Sequence, residues 1–361
     1  MSKPEQPARA ILAYCRAGFE AASAAEIGAA LKEPPSPRGV AKDTGYVLIP
    51  IPAGANIERV PQHTQSVFSR QVIFTLDAVA ALGERDRVTP ILAAVPQIMA
   101  AYGAVSLANV WVEYPDTNDG KALSKLAGAL ETRVLAGLSA DHVIDSAAKF
   151  RLHVFLLNKQ EARIGVVEVE RASPWPLGIP RLKMPRDAPS RSTLKLAEAF
   201  HVFLGDDLER LLQPEMRAVD LGAAPGGWTW QLTHRGLHVM AVDNADLKGE
   251  LVDNALVRHI REDGFRFRPK KPVDWLVCDM VEQPRRIATL VAMWLAEGHA
   301  RHAIFNLKLP MKKRLEEIEL CKAILHARLE PMGRTYHLVI KQLYHDREEV
   351  TAYCGFAPRS R

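Results

Sequence analysis

The chain has 361 residues, room for two or three domains with sizeable cores, and its 48% hydrophobic and 25% charged residues are those of an ordinary globular protein. That balance excludes a disordered, collagen-like or coiled-coil chain. The 47 Lys and Arg against 42 Asp and Glu leave a net charge of +5, a mild bias toward an anionic partner.

An apolar run over 10–15 has strand length, and after Arg16 and Gly18 an Ala-rich stretch to Leu31 reads as a helix. Further strands are predicted over 45–51 and 71–76, with Pro34, Pro35 and Pro37 interrupting the gap before them, so residues 1–85 form a small α+β module. A second module, over 86–172, begins with a helix over 90–102, a strand over 110–114 and a helix over 122–138. In the latter, Leu123, Leu126, Leu130 and Val134 share one face. Strands over 151–157 and 163–170 flank a loop and form a hairpin.

Residues 171–189 carry Pro174, Pro176, Pro180, Pro185 and Pro189, and the main boundary is placed in a linker over 173–190. Arg181, Lys183 and Arg186 within it fit a solvated linker and a stripe facing nucleic acid equally well. Beyond it, in 191–361, the pattern alternates. A helix over 192–204 turns Leu196, Phe200 and Phe203 inward. Short apolar strands follow at 218–221, 239–242, 275–278 and 303–307, with helices over 284–300 and 312–329, the last presenting Leu315, Ile318, Cys321 and Leu325. Near-continuous apolar strands separated by helices imply a parallel α/β sheet covered on both sides, with ligands at the carboxyl ends of its strands.

No apolar run approaches the ~18 residues of a membrane span, and the polar stretch Met1 to Pro7 lacks the apolar core of a secretory leader. No membrane partner is expected, and the expected location is cytoplasmic. Cys15, Cys278, Cys321 and Cys354 are too scattered for a metal or disulfide framework, and no His-Glu-x-x-His pattern occurs, so no metal is expected.

The most informative stretch is Asp220-Leu221-Gly222-Ala223-Ala224-Pro225-Gly226-Gly227-Trp228, a strand running into a Gly-rich turn ahead of a helix. Glycines there would let backbone approach a ligand closely. The loop has neither the Gly-x-Gly-x-x-Gly of a dinucleotide site nor the Gly-Lys-Ser/Thr of a nucleoside triphosphatase. Asp243, at the end of the next strand, stands where a doubly wound fold binds ribose hydroxyls, and Asp263 follows where a third strand edge reaches a base. Singly each is a turn or a cap; in this order they suit an adenosyl ligand bearing a sulfonium, S-adenosylmethionine.

Five stretches, 188–196, 218–228, 274–282, 305–314 and 342–350, together with 14–20, resemble the FtsJ-like ribose 2'-O-methyltransferases over nearly the whole chain. The resemblance implies a C-terminal Rossmann-like methyltransferase domain behind an N-terminal RNA-binding region made of a ferredoxin-like module and a THUMP domain. It implies as substrate the ribose 2'-oxygen of a cytidine in the central loop of domain V of 23S rRNA, offered as rRNA or large-subunit precursor, with no DNA partner. It implies the catalytic set Lys195, Asp279, Lys308 and Glu349, the last preferred to Glu348 because Val350 follows it. The cofactor would touch Ser192, Ala224, Pro225, Gly226, Gly227, Asp243, Asp263 and Asp279. No apolar heptad suggests pairing, so a monomer is expected.

Lysines suit this chemistry. A ribose hydroxyl is a very weak acid, helped by a base and by positive charge on the developing alkoxide. Lys308 as base has to fall from about 10.4 toward neutrality, which corresponds to roughly 4 kcal/mol. Asp279 opposes that fall, so it is assigned to orienting Lys308 and binding cofactor. Lys308, Lys312, Lys313 and Arg314 would rim the cleft for phosphates. Other chemistries leave marks absent here. Exocyclic nitrogen methylation favours an Asn/Asp-Pro-Pro-aromatic turn where Asp279-Met280-Val281-Glu282 stands, and Cys278 precedes the acid on a buried strand, unlike a carbon-methylating nucleophile. An RNA-binding assembly factor with an inactive methyltransferase fold is the alternative, opposed by the intact Lys195, Asp279 and Lys308.

Overall fold

A computed structural model describes residues 8–32, 40–61 and 63–357, and divides into two compact units, Met1–Ile179 and Pro180–Arg361. Pro34, Pro35, Pro37 and the stretch from Met1 to Pro7 lie outside the described residues.

The first unit contains β1 (Arg9–Cys15), α1 (Glu20–Leu31), β2 (Tyr46–Pro50), β3 (Ser69–Leu76), β4 (Ala80–Ala81), α2 (Val88–Tyr102), β5 (Leu107–Glu113), α3 (Asn118–Lys121), α4 (Ser124–Ala140), β6 (Phe150–Leu156) and β7 (Glu161–Glu168). One sheet takes the order β2-β1-β3-β7-β6-β5, with β4 beside β7. β1 reads as an unbroken apolar run because both of its faces are covered. Ile11 and Ala13 pack with Ile27 of α1, and Leu12 and Tyr14 pack with Ile73 and Phe155. α2 and α4 bury Ile91, Val95, Leu130 and Val134 over β5, β6 and β7. The predicted helix over 122–138 is α4, and a short helix that was not predicted, α3, precedes it, capped by Thr117, whose Oγ1 accepts from Gly120 N at 3.0 Å.

The start of the Pro-rich stretch is packed, with Ala172, Ser173, Leu177 and Ile179 buried. Buried Glu113 accepts from Leu177 N (2.5 Å) and Tyr14 Oη (2.8 Å) and pairs with His153 Nδ1 (2.7 Å), while Arg151 donates to Ser173 O (2.9 Å). Arg181, Lys183 and Arg186 are exposed.

The second unit contains α5 (Ser192–Leu204), α6 (Leu208–Leu211), β8 (Arg217–Leu221), α7 (Gly227–Thr233), β9 (His238–Val242), β10 (Val257–Ile260), β11 (Val273–Cys278), α8 (Pro284–Ala296), β12 (Ala300–Lys308), α9 (Arg314–Leu329), β13 (Tyr336–Lys341) and β14 (Glu349–Phe356). Its sheet runs β10-β9-β8-β11-β12-β14-β13. Strand order reverses between β8 and β11, so right-handed crossovers place α7 and α8 on opposite faces and open a crevice at the carboxyl ends.

The sheet is mixed, which corrects the expectation of parallel strands alone. β14 lies antiparallel to both β12 and β13. Only residues 342–348 join β13 to β14, and a parallel return needs a dozen or more. The predicted helix over 284–300 stops at Ala296, because Gly298 takes φ 73° and Ala300 already begins β12. The helix predicted from 312 starts at Arg314, behind Lys313 at φ 58°. Under α5 and α7 the core is Leu196, Phe200, Trp228, Trp275 and Ile304.

Candidate active site

The carboxyl ends of β11 and β12, the start of β14 and the first turns of α5 converge. Asp279 follows the last residue of β11, Lys308 closes β12, and Glu349 opens β14 as the register partner of Lys308. Two residues further in, Asn306 faces Thr351 in the same register, so period-two alternation puts all four on one face of two paired strands. Lys195, on α5, reaches them from above the sheet.

Lys195 Nζ lies 3.1 Å from Asp279 Oδ2 and 2.7 Å from Glu349 Oε1. Lys308 Nζ donates to Asp279 Oδ1 at 2.8 Å and contacts Glu349 Oε2. Two ammonium groups and two carboxylates thus balance one another in a largely buried square. Burial alone would raise the Asp279 carboxyl, but Lys195 and Lys308 outweigh it and hold it below the usual carboxylate range. Burial alone would lower Lys308, but Asp279 and Glu349 outweigh that and hold it above the ordinary lysine value. This corrects the expected direction: without a bound cofactor Lys308 is a firmly charged ammonium, because it has two carboxylate neighbours where one was anticipated.

Behind the square runs a hydrogen-bonded chain that the sequence reading missed. Asn306 Nδ2 donates to Asp279 Oδ1 at 2.6 Å, which turns Asn306 Oδ1 toward Thr351 Oγ1 at 2.7 Å. Thr351 has one hydroxyl proton and gives it to Asn306, so its 2.9 Å contact with Asp346 Oδ1 requires Asp346 to be the donor. Asp346 is therefore a carboxylic acid. Its burial, reinforced by the charge of Glu349, lifts it well above the usual range. The spacing of Asn306 from Lys308 and of Thr351 from Glu349, two residues in each case, was the available signal. Glu198, one turn beyond Lys195, accepts from Tyr344 N (2.8 Å) and His345 N (3.0 Å), tying α5 to the turn that delivers Glu349.

Beside Asp279 opens a cleft of about 470 Å³ walled by Gly222, Ala224, Asp243, Asp263, Phe265 and Met280 among others. Asp243 Oδ2 accepts from Ala224 N at 3.0 Å and its Oδ1 from Ala245 N at 2.8 Å, closing the Gly-rich turn against the end of β9. Asp263 is exposed and accepts from Phe265 N at 2.8 Å. The cleft's size, its acids at the ends of β9 and β10, and Asp279 at its inner end fit an adenosyl group with a cationic centre.

Ser192, Pro225, Gly226 and Gly227 are not among its walls. The two glycines are also required by the protein's own conformation and packing. Gly226 has φ 113°, closed to other residues, and a Cβ on Gly227 would collide with Ser190 Oγ and Ser192 Oγ. Of the basic rim, Arg314 pairs with exposed Glu348 at 2.5 Å and Lys313 with Glu316 at 3.0 Å, while Lys312 is exposed. Cys278 is buried and its thiol pushed up to about 12 by burial. Elsewhere exposed His234 stands 3.6 Å from Asp187 and 3.5 Å from Glu250, a surface ion-pair grouping. Among the described residues no helix is long and apolar enough to cross a membrane.

Residues 188–357 match the FtsJ-like methyltransferase family, whose methyl donor is S-adenosylmethionine, and residues 86–168 match the N-terminal region of ribosomal RNA large subunit methyltransferase M. The chain is 55% identical to the ribosomal RNA large subunit methyltransferase M of Laribacter hongkongensis, over 77% of this chain and 79% of that relative. It is 47% identical to the one from Methylococcus capsulatus, over 95% of this chain and 97% of the relative. With likeness running through both units, the chain belongs to the ribosomal RNA large subunit methyltransferase M family.

Proposed function

We propose that this chain methylates large-subunit ribosomal RNA, transferring the methyl of S-adenosylmethionine to the ribose 2'-oxygen of a cytidine in the domain V central loop of 23S rRNA. The observation that carries the reading is the square of Lys195, Asp279, Lys308 and Glu349 at the inner end of the cleft. The donor, held by Asp243, Asp263 and the Gly-rich turn, supplies an electrophilic methyl and a positive charge beside Asp279.

Asp279 then divides its attraction between that charge and the two lysines, and RNA covering the site deepens the burial that opposes the Lys308 charge, which tips downward the balance that holds Lys308 high in the free enzyme. The Lys308 proton passes to Glu349, and the free Nζ takes the proton of the 2'-hydroxyl as the bond from oxygen to the methyl carbon forms and the bond from that carbon to sulfur breaks, its electron pair staying on the sulfur, which leaves as a neutral thioether. Lys195 keeps its charge and stabilises the alkoxide. Proton removal accounts for ~10²–10⁴-fold, and alignment of hydroxyl and methyl for as much as ~7–11 kcal/mol, so positioning carries more of the rate.

In this reading residues 1–85 and 86–172 are a ferredoxin-like module and a THUMP domain that bind structured RNA through its backbone, linked by 173–190 to the methyltransferase domain over 191–361. The test is a nucleotide-resolution map of ribose methylation in rRNA from cells lacking the protein, before and after treatment with the purified chain. A new 2'-O-methylcytidine in domain V supports the proposal. Tight binding with no transfer supports an assembly factor instead.

A further inference from the structure

The second unit carries another depression, separate from the cofactor cleft. The β8 to β9 crossover contains α7 and the β11 to β12 crossover contains α8, but residues 261–272, from β10 to β11, contain no helix. A right-handed crossover there belongs on the α8 face, so the sheet is left uncovered at β9 and β10 on that side. Val239 packs in the core beneath α7, so alternation turns Met240 to the opposite face, and register puts Arg258 beside it. The result is a groove of about 570 Å³ floored by Met240, Ile260 and Phe267.

Its rim is Arg217, Arg258, Arg268, Lys270 and Lys271, opposed by Glu262 as the one carboxylate of the lining. None of these five cations forms an ion pair among the described residues. Arg217 and Arg268 are braced by main-chain oxygens instead, of Pro272 at 2.8 Å and Phe265 at 3.0 Å, which fixes their direction without neutralising them. Five uncompensated cations around an apolar floor make an electrostatic sink for a polyanion that also carries flat, weakly polar faces.

The geometry points to this groove as a docking site for a single-stranded segment of the RNA substrate, phosphates on the rim and a base or sugar face on Met240, Ile260 and Phe267. The inference relies on RNA being the substrate. It adds a second anchoring point along the sheet from the reacting nucleotide, meeting the cofactor cleft at Glu262, which lines both.

The experiment compares the full-length chain with its Lys270→Glu/Lys271→Glu variant, both positions being exposed. A protein-free domain V transcript is the ligand, across a salt series. The expected result is a Kd and KM for RNA raised at least ~10-fold at 0.1 M salt and a shallower log Kd against log salt dependence, by about 1.4 for two lost single-strand contacts. The S-adenosylmethionine affinity and kcat at saturating RNA stay at wild-type values. Equal KM and equal salt dependence overturn the docking site while leaving the methylation proposal standing. A wild-type chain that binds the transcript but methylates no ribose defeats the methylation proposal, and the salt dependence still judges the groove. A defect seen only with assembled particles assigns the groove to a protein and overturns RNA as its occupant.

Discussion

Glu349 stands across the sheet from Lys308, its register partner on the antiparallel strand β14, and its other carboxylate oxygen lies 2.7 Å from Lys195 Nζ. One side chain therefore holds both lysines, while its neighbour Glu348 turns outward to Arg314.

Glu349→Gln is expected to lower the single-turnover methyl-transfer rate by ~10²-fold or more at saturating cofactor, because it removes the proton acceptor of Lys308. Glu348→Gln stays within about threefold, the range of a solvent-exposed ion pair. Equal losses in the two variants would show that neither carboxylate is specific to the reaction.

Lys308→Met is expected to abolish transfer while the calorimetric Kd for S-adenosylmethionine changes only a few-fold. In the wild type, Asp279 and Glu349 hold Lys308 above its ordinary value, and its proton goes to Glu349 rather than to solvent. Because that transfer leaves the number of bound protons unchanged, kcat/KM, which reports the free enzyme, is expected to be flat across neutral pH. A rate that keeps climbing about tenfold per pH unit above neutrality would refute Glu349 as the destination of the proton.

Asp346 is a hydrogen-bond donor, so the amide of Asp346→Asn can replace it and keep transfer within a few-fold. Asp346→Ala leaves Thr351 and Leu343 N without their partner, with an expected loss of about 1–3 kcal/mol in stability and a lower kcat. Denaturant unfolding and transfer rates measured on the same preparations separate the two. An Asn variant as damaged as the Ala variant requires a charged Asp346.

Asp220 is fully buried beneath the Gly-rich turn, accepts from Thr229 Oγ1 at 2.7 Å, and is pushed up to about 7 by burial. A carboxyl raised on folding keeps a proton that the unfolded chain releases above about 4. Its contribution is complete below that pH and is lost as pH rises toward about 7, at no more than ~1.4 kcal/mol per pH unit. Asp220→Asn removes this slope. The Tm of the variant relative to wild type should rise from pH 4.5 to pH 7.5 and then level off; a constant difference sinks the assignment.

Asp243→Ala removes two backbone N–H acceptances that hold the Gly-rich turn, so the cofactor Kd is expected to rise ~10-fold or more with kcat at saturation changed less. Isothermal titration with S-adenosylmethionine reads this directly.

Much of the architecture was legible because it is written in local patterns. The apolar runs of β1, β8, β9, β11 and β12 and the amphipathic α4, α5 and α9 all lie where periodicity placed them. β10, whose Arg258 and His259 break the apolar pattern, gave no such signal, and the apolar run of β13, Leu338 to Ile340, is only three residues long. Asn306, Thr351 and Asp346 escaped because an isolated polar residue on a strand has no meaning until its cross-strand neighbour is known.

The order of amino acids, by itself, determined the alternation of strands and helices, the Gly-rich turn and the residues available for chemistry, since each depends on neighbours a few positions away. Only the tertiary structure decided the direction of β14, which of two adjacent glutamates meets the lysines, the proton on Asp346, the charge on Lys308 and the uncovered face of β9 and β10. Those are settled by distances through space between groups far apart in the chain. Electrostatic and hydrogen-bond energies depend on those distances.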